Sequence, residues 1–245
     1  MQKSPRELLP KIVAVVGPTA SGKTSLGEHL ALTFGGEIVS VDAKQIYRGM
    51  DLGTAKEKTL KVPQHLIDTK NPGEVSTVAE YQAMAYACID SLLVAGKLPV
   101  LVGGSMLYAE AVLNGYVFNQ GEKSGVQVPR YASLKIGITW EREALKVCAG
   151  ERLAQRIEAG LLAEIQGLLD QGVSVAWLMS CGMEYRYLTQ QVLGELTAEE
   201  AFTKTHQSIN QYIKRQYTWW RRHSDVHWVA DSLEAERLVE QFLLN

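Results

Sequence analysis

The feature that most constrains the fold is the run Gly17-Pro18-Thr19-Ala20-Ser21-Gly22-Lys23-Thr24, which follows directly on the apolar residues 12–16. It fits the pattern G-x-x-x-x-G-K-[ST] in the setting that pattern needs, a buried strand feeding a turn that opens a helix. Glycines at both ends let backbone N–H groups turn inward onto phosphate oxygens, and the helix N-terminus beyond adds its partial positive charge. Lys23 brings a mobile cation for the outer phosphate, and the Thr24 hydroxyl is a natural Mg²⁺ ligand. The plain alternative is an ordinary glycine-rich turn, which asks for neither the lysine nor the threonine. The chain is therefore expected to bind a di- or triphosphate. The loop alone leaves open what becomes of it.

Beyond the loop, strand and helix patterns alternate. Residues 23–34 read as a helix closed by Gly35-Gly36, and residues 37–41 as a short strand ending at Asp42. Residues 76–93 read as a helix opened by a capping box, and residues 98–102 as a strand running into Gly103-Gly104-Ser105. This alternation predicts an α/β fold, a phosphate-loop, mostly parallel sheet flanked by helices. Strand tips line the ligand crevice of such a sheet, which makes Asp42 and Ser105 candidates. Asp42 fits a cap or turn residue equally well, and spacing does not choose. Residues 65–68 (His-Leu-Ile-Asp) read as a short buried strand in which a lone histidine is structural. Residues 115–130, with Asn119, Gly121, Ser124, Gly125 and Pro129, read as an irregular connector.

Strand character returns at residues 134–138, and residues 141–245 are mainly helical. The first helix there carries Leu145, Leu153, Ile157, Leu161 and Ile165 on one face, with a break or bend expected at Gly150 and a stop at Gly172. Arg152 and Arg156 share a face; arginines so placed are usually solvated or ion-paired. A second helix begins near Leu178 and a third spans residues 198–223. The third ends in Lys214-Arg215-Gln216-Tyr217-Thr218-Trp219-Trp220-Arg221-Arg222. Cations interleaved with rings suit a nucleic-acid surface, where charge meets phosphate and rings stack. They suit equally a helix whose rings are core and whose cations favour its C-terminal end. The whole chain, 1–245, reads as one domain.

The formal net charge of −2 gives no global nucleic-acid signature, so RNA contact has to come from local patches. Cys88, Cys148 and Cys181 are too scattered for a zinc site or a disulfide framework. With a polar start and no run of 18 apolar residues, the expectation is a cytoplasmic protein, a monomer with no membrane partner.

Several long motifs agree on a resemblance. The phosphate loop, residues 40–56 (Ser-Val-Asp-Ala-Lys-Gln-Ile-Tyr-Arg-Gly-Met-Asp-Leu-Gly-Thr-Ala-Lys), residues 65–68, residues 101–108, and Lys214-Arg215-Gln216-Tyr217-Thr218-Trp219 resemble the tRNA dimethylallyltransferase (isopentenyltransferase) family. Val226-His227-Trp228 looks like that family's closing strand. The resemblance implies transfer of an isopentenyl group from dimethylallyl diphosphate to N6 of adenine 37 in the anticodon loop of tRNA, with Mg²⁺. It implies that Asp42 takes the N6 proton, that Ser105 contacts the reacting groups, and that Arg152 holds the diphosphate with residues 17–24. It also implies tRNA contacts by Asp42, Ala43, Lys44, Gln45, Lys214, Arg215, Gln216 and Trp219. The chain departs from the pattern at Ala43, where members usually carry Ser, at Ser105, where they carry Thr, and at Cys148, where a second arginine is usual. Members also insert a helical domain that grips the anticodon stem-loop, where residues 115–130 here bridge back to the sheet. Three rival readings remain: a phosphate-loop kinase of small molecules, an isopentenyltransferase of free adenine nucleotide, and a non-catalytic RNA-binding relative.

Overall fold

The computed structural model describes residues 9–119 and 122–245. The apolar run after the N-terminus forms β1 (Lys11–Val16), whose Val and Ile side chains are all but excluded from solvent. Burial on both faces is the signature of a central parallel strand. Val13 and Val15 point to one face and pack in one cluster with Leu26, Leu30, Ala235 and Val239; Ile12, Ala14 and Val16 look to the opposite side. Two cores result, one on each face of the sheet.

The chain then runs through α1 (Lys23–Thr33), β2 (Gly36–Ser40), β3 (Gln64–His65), α2 (Val78–Val94), β4 (Leu98–Val102) and α3 (Met106–Asn114). A hairpin follows, β5 (Tyr116–Asn119) and β6 (Glu122–Gln127), and the sheet resumes with β7 (Ala132–Ile138). Next come α4 (Arg142–Glu158), α5 (Leu161–Asp170), α6 (Val175–Ser180), α7 (Met183–Val192) and α8 (Ala198–Arg221). The chain ends with β8 (Val226–Val229) and α9 (Ser232–Leu244). The main sheet has the order β3-β2-β4-β1-β7-β8, every neighbouring pair parallel. From residue 142 onward the elements are helices except for β8, which returns to the sheet edge beside β7. This is the fold class expected from the alternating pattern.

Local rules explain the elements. The capping box that opens α2 is made by Thr77 and Glu80, each side chain satisfying the other's backbone N–H. α1 lies close on β4 because Gly27 has no side chain; a Cβ there would stand 2.3 Å from Val102 Cγ2. Among the described residues no helix is long and apolar enough to cross a membrane.

Three expectations need correction. α4 passes through Gly150 unbroken. The glycine is there for α8, since a Cβ would lie 3.1 Å from His206 Nε2. The helix ends instead before Gly160, whose φ of 108° starts α5 afresh. The stretch at 65–68 contributes only His65 to a two-residue edge strand, half-buried, because Leu66 and Asp68 take positive φ and end the pairing. Its histidine is structural as expected, hydrogen-bonded through Nε2 to Glu37 at 2.7 Å. The supposed connector is an antiparallel hairpin in which Tyr116 faces Gln127 and Asn119 faces Glu122. The expectation for Gly121, and that for residues 1–8, fall outside the described residues.

Candidate active site

At the C-terminal tip of β1 the loop turns on two glycines, Gly17 at φ 133° and Gly22 at φ 81°, with Ala20 also at positive φ. Outside groups hold this shape. Trp140 Nε1 donates to Ser21 O at 2.9 Å, and Cys148 Sγ lies 3.9 Å from Ala20 O. Gln216 Oε1 accepts from both Thr19 N (2.8 Å) and Thr19 Oγ1 (3.1 Å). Lys23 Nζ donates to Pro18 O at 2.5 Å, so the ammonium lies over the loop it serves. Burial, aided by the Arg152 charge and opposed by Asp42, holds the Lys23 pKa down to about 8. Thr24 stands in the first turn of α1, half-buried. Ser21 Oγ is buried beneath the loop with no hydrogen-bond partner among the described residues.

The tips of β2 and β4 meet next to this loop. A Cβ on Gly103 would stand 1.9 Å from Val41 O, so only glycine permits the approach. Ser105 Oγ accepts from Ala43 N at 3.0 Å, fastening the β4 tip to the turn after Asp42. Asp42 Oδ1 accepts from Lys44 N at 2.8 Å and Gln45 N at 3.4 Å. The aspartate shapes a turn, and it also stands where its charge and that of Lys23 act on each other. Burial pushes the Asp42 carboxyl above the usual range; the two turn N–H groups and Lys23 pull it down, and Glu184 pushes it up. A carboxylate raised by burial is a stronger base.

Arg152 is exposed on α4, and its guanidinium makes no hydrogen bond or ion pair among the described residues; its charge reaches Lys23 and Glu57. Arg156, one turn on, is spent on structure: it donates to Leu52 O, Gly53 O and Glu184 Oε1, each at 3.2 Å. Sequence reasoning missed the anchor beside it. Glu164 on α5 accepts from the backbone N–H groups of Asp51 (2.8 Å), Leu52 (2.6 Å) and Gly53 (3.1 Å), and from Tyr185 Oη at 2.6 Å. This carboxylate fixes the long loop after Asp42 to the helical half.

The residues expected to meet RNA divide. Lys214 and Arg215 are exposed on α8, and Lys44 and Ala43 are half-buried beside Asp42. Gln45 is spent inside the loop, its Nε2 donating to Thr54 O at 3.2 Å. Trp219 is half-buried with its indole N–H on Glu110 Oε1 at 3.0 Å. Gln216 is 0% exposed, which corrects the expectation of an RNA contact; helical phase turns it inward with Ile209, Ile213 and Trp220. Farther along, Arg221 stacks on Tyr217 (4.8 Å) and Trp228 (5.1 Å), so cations and rings do share an outer face there.

Fold and site together define a phosphate-loop α/β protein whose glycine-turned loop stands beside a buried carboxylate, Asp42, and a hydroxyl, Ser105, at the tips of β2 and β4. Comparison with known proteins narrows this. The model of the IPP transferase family matches residues 45–127 and 117–223. The chain is 33% identical to tRNA dimethylallyltransferase 2 of Shewanella sediminis, covering 90% of this chain and 93% of that one. It is 34% identical to tRNA dimethylallyltransferase 2 of Bacteroides fragilis, covering 93% and 95%. Among solved structures, the tRNA isopentenylpyrophosphate transferase of Bacillus halodurans superposes with a TM-score of 0.85 at 30% identity, covering 96% of this chain and 97% of that one. The chain belongs to the IPP transferase family. The two alignments to relatives run over 281 and 291 positions, more than the 245 residues of this chain, so those relatives carry residues it lacks.

Proposed function

We propose that this chain transfers a dimethylallyl group from dimethylallyl diphosphate to N6 of adenine 37 in tRNA, beside the anticodon. The observation that carries this reading is the placement of Asp42. It is a carboxylate raised by burial, close enough to the phosphate loop to interact with Lys23. An exocyclic adenine amine is a poor nucleophile until a base accepts its proton, which is the task assigned to Asp42. On the other side, the allylic carbon–oxygen bond breaks as the departing diphosphate is neutralised by Lys23, Arg152 and the N–H groups of residues 17–24. Ser105, tied to Ala43 N, keeps the two strand tips in register about the reacting groups.

Mg²⁺ fits as an ion shared with the substrate. No group of three or more His, Cys, Asp or Glu among the described residues forms a cage. One hydroxyl from Thr24 with phosphate oxygens and water is a usual Mg²⁺ set, and the ion would supply further neutralisation of the leaving group. The base must leave the anticodon stack to reach Asp42, and the exposed cations Lys214, Arg215, Arg221 and Arg222 suit the phosphates of a splayed loop. We read residues 116–127 as the short replacement for the family's inserted domain. The family match supports this, since its two stretches overlap there. A tRNA substrate favours a cytoplasmic protein.

The test offers purified protein, dimethylallyl diphosphate and Mg²⁺ to unmodified tRNA, AMP and ATP in parallel, read by mass spectrometry. One isopentenyl unit on the tRNA adenine alone is expected. Transfer to AMP or ATP alone would assign the free-nucleotide class, which the short hairpin favours, and ATP hydrolysis without transfer would assign a kinase. Chelation of Mg²⁺ should stop the reaction.

A further inference from the structure

We propose that Gln216 is a positioning residue that locks the diphosphate loop to the tip of β4, so that occupation of the loop is felt at Ser105. The side chain is wholly buried, an expensive place for an amide unless every polar atom is used. Both polar atoms are used, and on two different elements. Oε1 accepts from Thr19 N and Thr19 Oγ1 in the phosphate loop. Nε2 donates to Gly104 O at 2.8 Å, one residue before Ser105.

The other side of the contact is shaped to receive it. A Cβ at Gly104 would stand 2.6 Å from Gln216 Nε2, so the glycine leaves room for the amide. Tyr212, one turn earlier on α8, donates from Oη to the same Gly104 carbonyl at 3.1 Å. Gly104 O therefore receives two donors from one helix, while Ser105 Oγ holds the Ala43 N–H next to Asp42. A continuous path runs from Thr19 through Gln216 and Gly104 to Ser105 and the Asp42 turn. No other side chain of the described residues bonds both the phosphate loop and the residues 103–105.

This inference rests on the reading above for what the loop holds, a diphosphate leaving group. The two halves of that reaction sit on different strand tips, β1 for the leaving group and β2 with β4 for the acceptor. Their relative placement decides whether acceptor and allylic carbon meet, and displacement of about 1 Å costs on the order of a hundredfold in rate. Gln216 fixes that placement without touching either reactant.

The experiment uses the full chain and inorganic diphosphate with Mg²⁺, read by hydrogen exchange of backbone amides. In the wild type, the ligand should slow exchange in residues 17–24 and also in residues 103–107. Gln216→Met keeps length and removes both contacts. Gln216→Glu keeps the acceptor for Thr19 and removes the donor to Gly104. In both variants protection should persist at 17–24 and disappear at 103–107. Thermal melts identify any variant that is unfolded, in which case the other decides. Equal protection of both segments in a folded variant, or protection of 17–24 alone in the wild type, overturns the proposal. Absence of any protection in the wild type overturns it too, along with the diphosphate reading. In the transfer assay, the variants should lose about a hundredfold in kcat with KM for RNA nearly unchanged, a split that general loss of structure does not give.

Discussion

Diphosphate capture should have an upper pH limit set by Lys23. Its pKa of about 8, against an ordinary 10.5, arises first from burial, with repulsion by Arg152 adding to it and attraction by Asp42 opposing it. The sign follows from the charge: the protonated amine attracts the outer phosphate, so affinity is full below the pKa and falls as pH rises through it. Each pH unit beyond removes about nine-tenths of the remaining cation, worth about 1.4 kcal/mol. Between about pH 7 and about pH 9.5, affinity for inorganic diphosphate should drop by up to roughly thirtyfold if only the cation binds. Calorimetric titration measures it, and Lys23→Arg, charged throughout, separates this fall from the ligand's own titration. Two further variants sharpen the test because the structure assigns them opposite effects. Arg152→Ala removes a repulsion and should move the limit upward; Asp42→Asn removes an attraction and should move it downward. An identical fall in the wild type and in Lys23→Arg, or shifts of the same sign in the other two, would refute the argument.

Three other outcomes follow from the geometry. Asp42→Asn should cost about 10²–10⁴-fold in transfer while leaving diphosphate bound below the basic limit, and in the wild type the acid limb should lie above the ordinary carboxylate range because burial raises Asp42. Glu164→Ala leaves three backbone N–H groups and the Tyr185 hydroxyl without their carboxylate, and urea unfolding should show a loss of about 3 kcal/mol. Gly27→Ala forces a methyl group against Val102 and should cost about 1–3 kcal/mol by the same measurement, with the phosphate loop displaced alongside α1.

What the sequence discloses about such a protein depends on how local the cause is. The phosphate loop and the strand tips at Asp42 and Ser105 are legible because each is a short segment whose residue types dictate its own backbone. Gln216 is misleading in the same reading, since its neighbours Lys214, Arg215, Tyr217 and Trp219 describe a surface. The spacing of Ile209, Ile213, Gln216 and Trp220 carries the correction, because steps of four, three and four residues mark one buried stripe. Gly150 and Gly160 are alike as letters in a helical pattern. They part in the fold: Gly150 stays helical with His206 packed on it, whereas Gly160 turns to φ 108° with nothing against it, and the packing contact is tertiary. Glu164 is hidden for the same reason: nothing near it in sequence announces that residues 51–53 will point three N–H groups at it.

The hairpin between α3 and β7 departs and returns through a single point. Val128 N donates to Gly115 O at 2.8 Å, and a Cβ on Gly115 would stand 1.9 Å from Val128 O, so the outgoing and incoming chains touch backbone to backbone. Whatever lies between them is closed off before it begins. Because the ends are already held together, adding or removing residues changes the entropy of closure only slowly with length. The sheet, the phosphate loop and Asp42 all lie on the near side of that junction. The fold thus has a socket at residues 115 and 128, into which segments of very different size can be fitted while the chemistry behind it keeps its shape.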